Sequence, residues 1–177
     1  MVSNFQYIRS TPGTLKSISI VLTITVVALS FVGHFASNYT SKREDYRHLF
    51  TKNELRSLWR EYFLMGAALI CLIVSTINLI AHLVSRELYW NKRTAIYDFL
   101  YHSGSVIVIG VAGMLYIVSG VKIFEINCTT DNECQQFEVK LGAGGLALVL
   151  AILNGVIGSV VLTNRKDVER EVLIEDK

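Results

Sequence analysis

Three ionisable side chains fall where they could meet across a helical hairpin: His82 near the end of one apolar stretch, and Asp98 and His102 at the start of the next. Two imidazoles and a carboxylate could pass a proton or ligate a metal ion. Their spacing matches no zinc motif, and histidines hydrogen-bonded to neighbours at a membrane interface are the plainer expectation. A second signal lies in the stretch before them. Cys71, Ser75, Asn78, His82 and Ser85 step by 4, 3, 4 and 3, which places all five on one helix face. Polar groups in lipid seek partners, so this face should turn into a bundle. There is no phosphate-cradling glycine loop and no nucleophile elbow; Gly142, Gly144 and Gly145 follow no strand and read as points of close helix approach. No catalytic, cofactor-binding or metal-binding set emerges. The expectation is a protein that is not an enzyme and needs no cofactor.

The remaining candidates lie between or after the apolar stretches. Cys128 and Cys134 stand six apart among polar residues and could form a disulfide in an oxidising compartment. Cys71, inside an apolar stretch, reads as packing. Asn38-Tyr-Thr40 and Asn127-Cys-Thr129 are N-glycosylation sequons. In the C-terminal tail, Glu169 with Leu173 and Ile174 fits the acidic dileucine form read by vesicle-coat adaptors; the alternative is an amphipathic tail lying on the membrane surface.

The elements that must carry these residues follow from the distribution of charge. The chain is 51% apolar with a mean hydropathy of +0.41. All 17 Lys and Arg and all 15 Asp and Glu lie outside four windows, residues 17–41, 62–85, 99–121 and 141–164. Each window reaches the roughly 20 residues that cross a hydrocarbon core. The fold class is therefore all-α: an integral membrane four-helix transmembrane bundle. Its spans are expected at about 17–35, 62–85, 99–121 and 141–163, between a short terminus, 1–16, and a tail, 165–177. A net charge of +2 without a basic run sets nucleic acid aside as a partner.

Packing signals sit in the last two spans. Ala143, Ala147, Ala151, Gly155 and Ser159 recur at every fourth position and suggest a small-residue stripe facing a close partner. Gly113 and Gly120, at heptad spacing in span three, make that span the expected partner, ahead of self-association. In the first connection, Thr51-Lys-Asn-Glu54 fits a capping box ahead of Leu55, Leu58, Trp59 and Tyr62, so a surface helix is expected to run into span two, with Trp59 and Tyr62 at the interface. Lys and Arg are nearly balanced between the two sides. The sequons and the paired cysteines, all away from the termini, favour cytosolic termini.

With these residues in place, the chain resembles the MARVEL family. The entry Tyr7-Ile-Arg9-Ser-Thr-Pro-Gly13-Thr-Leu15-Lys16 looks like that family's approach to span one. Asp98-Phe-Leu-Tyr101-His102, followed by a small-residue span, is similar to its third-helix entry. The resemblance covers roughly residues 7–165. It implies a non-enzymatic organiser of membrane apposition in vesicle trafficking, junctions or fusion, at the plasma membrane or on vesicles. Its expected partners are membrane lipids, other membrane proteins or further copies of itself, and vesicle-coat adaptors. The tetraspanin Cys-Cys-Gly and the paired cysteines of the claudin first loop are absent. Two other readings stand beside it: a small channel or transporter subunit using the polar face of span two, and an adhesion protein acting through the loop between Cys128 and Cys134.

Overall fold

The computed structural model describes the backbone of residues 6–36, 58–84, 92–127 and 136–175, and the side chains of residues 7–36, 58–84, 93–125 and 136–163. Cys128, Cys134, Asn38 and Ser85 lie outside the described residues, as do the side chains of Asn127, Glu169, Leu173 and Ile174. Among the described residues five helices follow one another: α1 (Gln6–Arg9), α2 (Thr11–Phe35), α3 (Trp59–Val84), α4 (Lys92–Asn127) and α5 (Phe137–Glu175). Among the described residues there is no strand. The last four helices are each long and apolar enough to cross a membrane, so the chain is a multi-pass all-α membrane bundle. At about 1.5 Å per residue the 39 residues of α5 run far past a hydrocarbon core, and its backbone stays helical through the segment holding the dileucine-like residues.

The helices form a ring in which α2 neighbours α3, α3 neighbours α4, α4 neighbours α5 and α5 closes back on α2. Helices α2 and α4 therefore face each other across the axis, as do α3 and α5. Lipid-facing positions carry long aliphatic side chains, among them Val21 in α2, Ile70 in α3, Ile107 in α4 and Ile152 in α5. The axis is filled with smaller groups: Ala68, Ala112, Ala143, Ala147 and Ala151, wedged by Leu64, Ile109, Leu150 and Tyr116. The tightest approach joins α4 and α5. A methyl group on Gly144 would stand 2.4 Å from Ile117 Cγ1 and 3.1 Å from the Gly113 carbonyl oxygen, and one on Gly113 would stand 3.0 Å from Ala147 Cβ. Here the absence of side chains sets how near two membrane helices come.

The small-residue stripe is only half a packing face. Ala143, Ala147 and Ala151 are buried, Gly155 is half-buried and Ser159 is exposed. A step of four residues overshoots a helical turn by about 40°, so a stripe five members long winds off the axis. The buried line of α5 instead runs Lys140, Ala143, Ala147, Leu150, Asn154 and Ile157, in mixed steps of three and four.

The surface helix expected ahead of span two falls largely on residues 51–57, outside the described residues. Leu58 sits at φ 47, in the left-handed region, and the helix begins with Trp59. Gln136, at φ 77, opens α5 in the same manner, accepting at its carbonyl from Lys140 N at 2.9 Å. A non-glycine residue rarely adopts this conformation, and here it stands immediately before the first residue of each helix.

The entry to span one is built by short-range bonds. Ser10 caps α2, its hydroxyl accepting from Gly13 N at 3.3 Å, and Pro12 occupies the first turn, where no amide donor is needed. Gly13 lets α1 fold back onto this turn, because a Cβ there would lie 2.0 Å from the Tyr7 carbonyl oxygen. Gly13→Ala should therefore displace α1 from the bundle. In detergent micelles, trypsin is expected to cut after the exposed Arg9 at least several-fold faster than in the unsubstituted chain. Gly66→Ala, with nothing within 4 Å of the added carbon, should leave that rate unchanged.

Candidate functional site: two buried ion-pair clusters

Each charge-free window is immediately preceded by one charged residue: Lys16, Glu61, Asp98 and Lys140. All four are buried inside the bundle. Each lies at the N-terminal end of its own helix, so α2 and α4 bring theirs to the side of the chain termini, and α3 and α5 bring theirs to the far side. Each pair thus spans a diagonal of the ring.

On the termini side, Lys16 Nζ donates to Asp98 Oδ2 at 2.5 Å and to Asn78 Oδ1 at 2.9 Å, and Asn78 Nδ2 donates to Asp98 Oδ1 at 3.0 Å. His102 Nε2 stands 3.3 Å and His82 Nε2 3.8 Å from the same carboxylate. The sequence-expected trio of His82, Asp98 and His102 is therefore brought together. Lys16 completes it and takes the carboxylate oxygen that a cation would need. Among the described residues no group of His, Cys, Asp and Glu side chains is arranged to hold a metal ion. Tyr7, from α1, stacks on His82 with ring centroids 5.0 Å apart and lies 5.8 Å from the Lys16 ammonium, covering the cluster from outside.

The polar face of α3 turns inward as its spacing requires. Ser75 Oγ lies 2.7 Å and Cys71 Sγ 3.2 Å from the Tyr101 hydroxyl of α4, which donates to the Cys71 carbonyl at 2.9 Å. Further along the face, Asn78 and His82 enter the ion cluster. Lys16, Ser19, Ser75, Asn78 and His102 line a crevice too narrow for a water-sized sphere.

On the far side, Lys140 Nζ donates to Glu61 Oε1 at 2.5 Å, and His34 Nδ1 donates to Glu61 Oε2 at 2.6 Å. Ser119 Oγ adds a longer bond of 3.4 Å to Oε1. Tyr62 and Phe35 set their rings edge-on against His34, at 4.7 and 4.9 Å between centroids. One turn deeper, the buried Tyr116 hydroxyl donates to the Ser30 carbonyl at 3.0 Å. A buried carboxylate is tolerable only when its lone pairs are taken up, and here an ammonium, an imidazole and a hydroxyl do so.

The charge-free windows leave Lys16, Glu61 and Lys140 outside the spans, in the terminus and the connections, so neither the far cluster nor the role of Lys16 follows from them. The signal that finds them is phase. Lys16, Ser19, Thr23, Val26 and Ser30 share one face; so do Glu61, Leu64, Ala68, Cys71 and Ser75; and Lys140 sits in register with Ala143 and Ala147. A charge in phase with a span's buried face belongs to the bundle. Comparison with protein-family models, with characterised proteins and with solved structures finds no match to the chain.

Proposed function

We propose that the chain is a multi-pass membrane-organising protein that works through its lipid-facing surface and loops, in membrane apposition, vesicle trafficking, junctions or fusion. The observation that carries this reading is the closed axis. A buried ion-pair cluster stands at each end of the bundle, and an alanine-rich, tightly packed midsection lies between them. A conduit needs a wet path and groups that can release what they bind; here the ionisable groups hold one another. The resemblance of residues 7–16 and 98–102 to MARVEL entries supports the same class by analogy. On this reading the termini are cytosolic, at the plasma membrane or on vesicles. Asn38, Asn127, Cys128 and Cys134 then face the lumen or exterior, and Glu169, Leu173 and Ile174 face coat adaptors.

Two experiments on the full chain separate this reading from a channel subunit. Reconstituted into phosphatidylcholine vesicles, the protein should pass neither potassium nor protons above the protein-free rate. Proximity labelling in the native cell should return trafficking or junction proteins. A flux abolished by His82→Gln with His102→Gln would establish the channel reading instead.

A further inference from the structure

Each buried ion pair sits level with an exposed aromatic ring. Tyr62 follows Glu61 and is 50% exposed, Trp59 stands just before it at 45%, and Tyr97 precedes Asp98 and is 70% exposed. Such rings settle at the boundary between headgroups and hydrocarbon. The two clusters therefore mark the two faces of the hydrocarbon core. Between them the outward positions carry long aliphatic side chains, among them Val21 and Ile24 in α2, Ile70 and Ile73 in α3, Ile107 in α4 and Ile152 in α5.

The helices themselves measure the distance between these faces. On α2, Lys16 of one cluster and His34 of the other stand 18 residues apart, and on α4, Asp98 and Ser119 stand 21 apart. On α3, Glu61 is 17 residues from Asn78 and 21 from His82, and both of these approach the Asp98 carboxylate. At about 1.5 Å per residue the separations are about 26 to 32 Å along the helices. The tilt of about 20° usual for membrane helices brings them to about 24–30 Å across the bilayer. The middle of this range matches a thin bilayer of about 27 Å, and its upper end falls short of the roughly 32–33 Å of a sterol-rich plasma membrane.

A bundle too short for its bilayer ordinarily adapts when lysines at its ends extend to the headgroups. That adjustment is closed here. Lys16 and Lys140 are held inward, each donating to a carboxylate, with 4% and 3% of their side chains exposed. Each pair also ties two helices that face each other across the ring, so a helix that slides or changes its tilt alone breaks a buried ion pair.

We propose that the lipid-facing belt is a thickness-selective surface: it fits bilayers with a hydrocarbon core of about 24–30 Å, and in thicker ones the lipid thins around the bundle and draws copies together. The proposal rests on the membrane-organising reading above, for which it names the lipid.

The test uses the full chain, labelled at its C-terminus with donor or acceptor dyes. It is reconstituted into vesicles of di-monounsaturated phosphatidylcholines with acyl chains of about 14 to about 24 carbons, a series that brackets a core of about 30 Å. At a fixed protein-to-lipid ratio, energy transfer between copies should be lowest near about 18 carbons and at least several-fold higher at about 24. Tyr97→Leu carries the apolar face on to the exposed Arg93, one turn earlier, and should move the minimum towards longer chains. Transfer that is lowest in the longest chains overturns the proposal. So does transfer equal across the series, which would mark a fixed association between copies, and so does a minimum that Tyr97→Leu leaves in place. If that variant does not fold, the series with the unsubstituted chain decides. A flux through the protein would overturn the reading as a membrane organiser and leave the position of the minimum as it is.

Discussion

Glu61→Met is expected to lower bundle stability by about 3–5 kcal/mol, the cost of leaving one member of a buried pair unpaired. The substitution keeps volume and removes the acceptor of Lys140 Nζ, His34 Nδ1 and Ser119 Oγ together. Lys140 then carries an ammonium with 3% of its side chain exposed and no carboxylate within reach among the bonds described. The compensating variant distinguishes pair energy from packing. Glu61→Met with Lys140→Met should recover most of the loss, because two apolar side chains replace two charges whose desolvation was never fully repaid. Unfolding in mixed micelles, followed by helical circular dichroism, gives both values. Equal stability of the single and double variants would show that the loss comes from the shape of the site.

Lys16→Met should behave differently, although it breaks the matching pair at the other end. It leaves Asp98 with the Asn78 amide still donating to Oδ1 at 3.0 Å and two imidazoles nearby. The expected loss is about 3 kcal/mol, at the lower end for a broken buried pair. Lys16→Met with Asp98→Asn should recover part of it, because the orphaned charge leaves with its partner. A double variant no more stable than Lys16→Met, in the same unfolding measurement, would show that the loss comes from packing around the ammonium.

Much of the architecture is legible in the sequence, because lipid imposes a simple rule. Four windows without charge are long enough to cross, and among the described residues four helices are long and apolar enough to do so. The span boundaries are less legible. A charge scan stops one residue short of Lys16, Glu61, Asp98 and Lys140, since it assumes that charge belongs in water. What brings these residues inside is a partner two helices away, which a scan along one segment does not contain. The meeting of His82, Asp98 and His102 was readable because the hairpin connection is short. Lys16 was not, because it arrives from the opposite wall of the ring. The stripe in α5 shows a different limit: fourfold spacing matches a helix over two turns and drifts away over four. The Tyr7 to Lys16 segment, noticed for its family likeness, has a local physical reason for each part: Ser10 caps, Pro12 starts the helix, Gly13 admits α1, Tyr7 covers, and Lys16 pairs.

The two diagonals also set a timetable for making the protein. Lys16 meets its acceptor 82 residues later, and Glu61 meets its donor 79 residues later. At the roughly 5–20 residues per second of synthesis, each waits several seconds for the ribosome to deliver its counterpart. The first hairpin cannot resolve this by itself, because Lys16 and Glu61 stand at opposite ends of it. A nascent chain stopped after two helices therefore holds one stranded cation and one stranded anion at the two faces of the bilayer, and a chain stopped after three has satisfied only the cation. Only the fourth helix brings Lys140 to Glu61, so the second diagonal closes last, after the Lys16 to Asp98 pair made by the third.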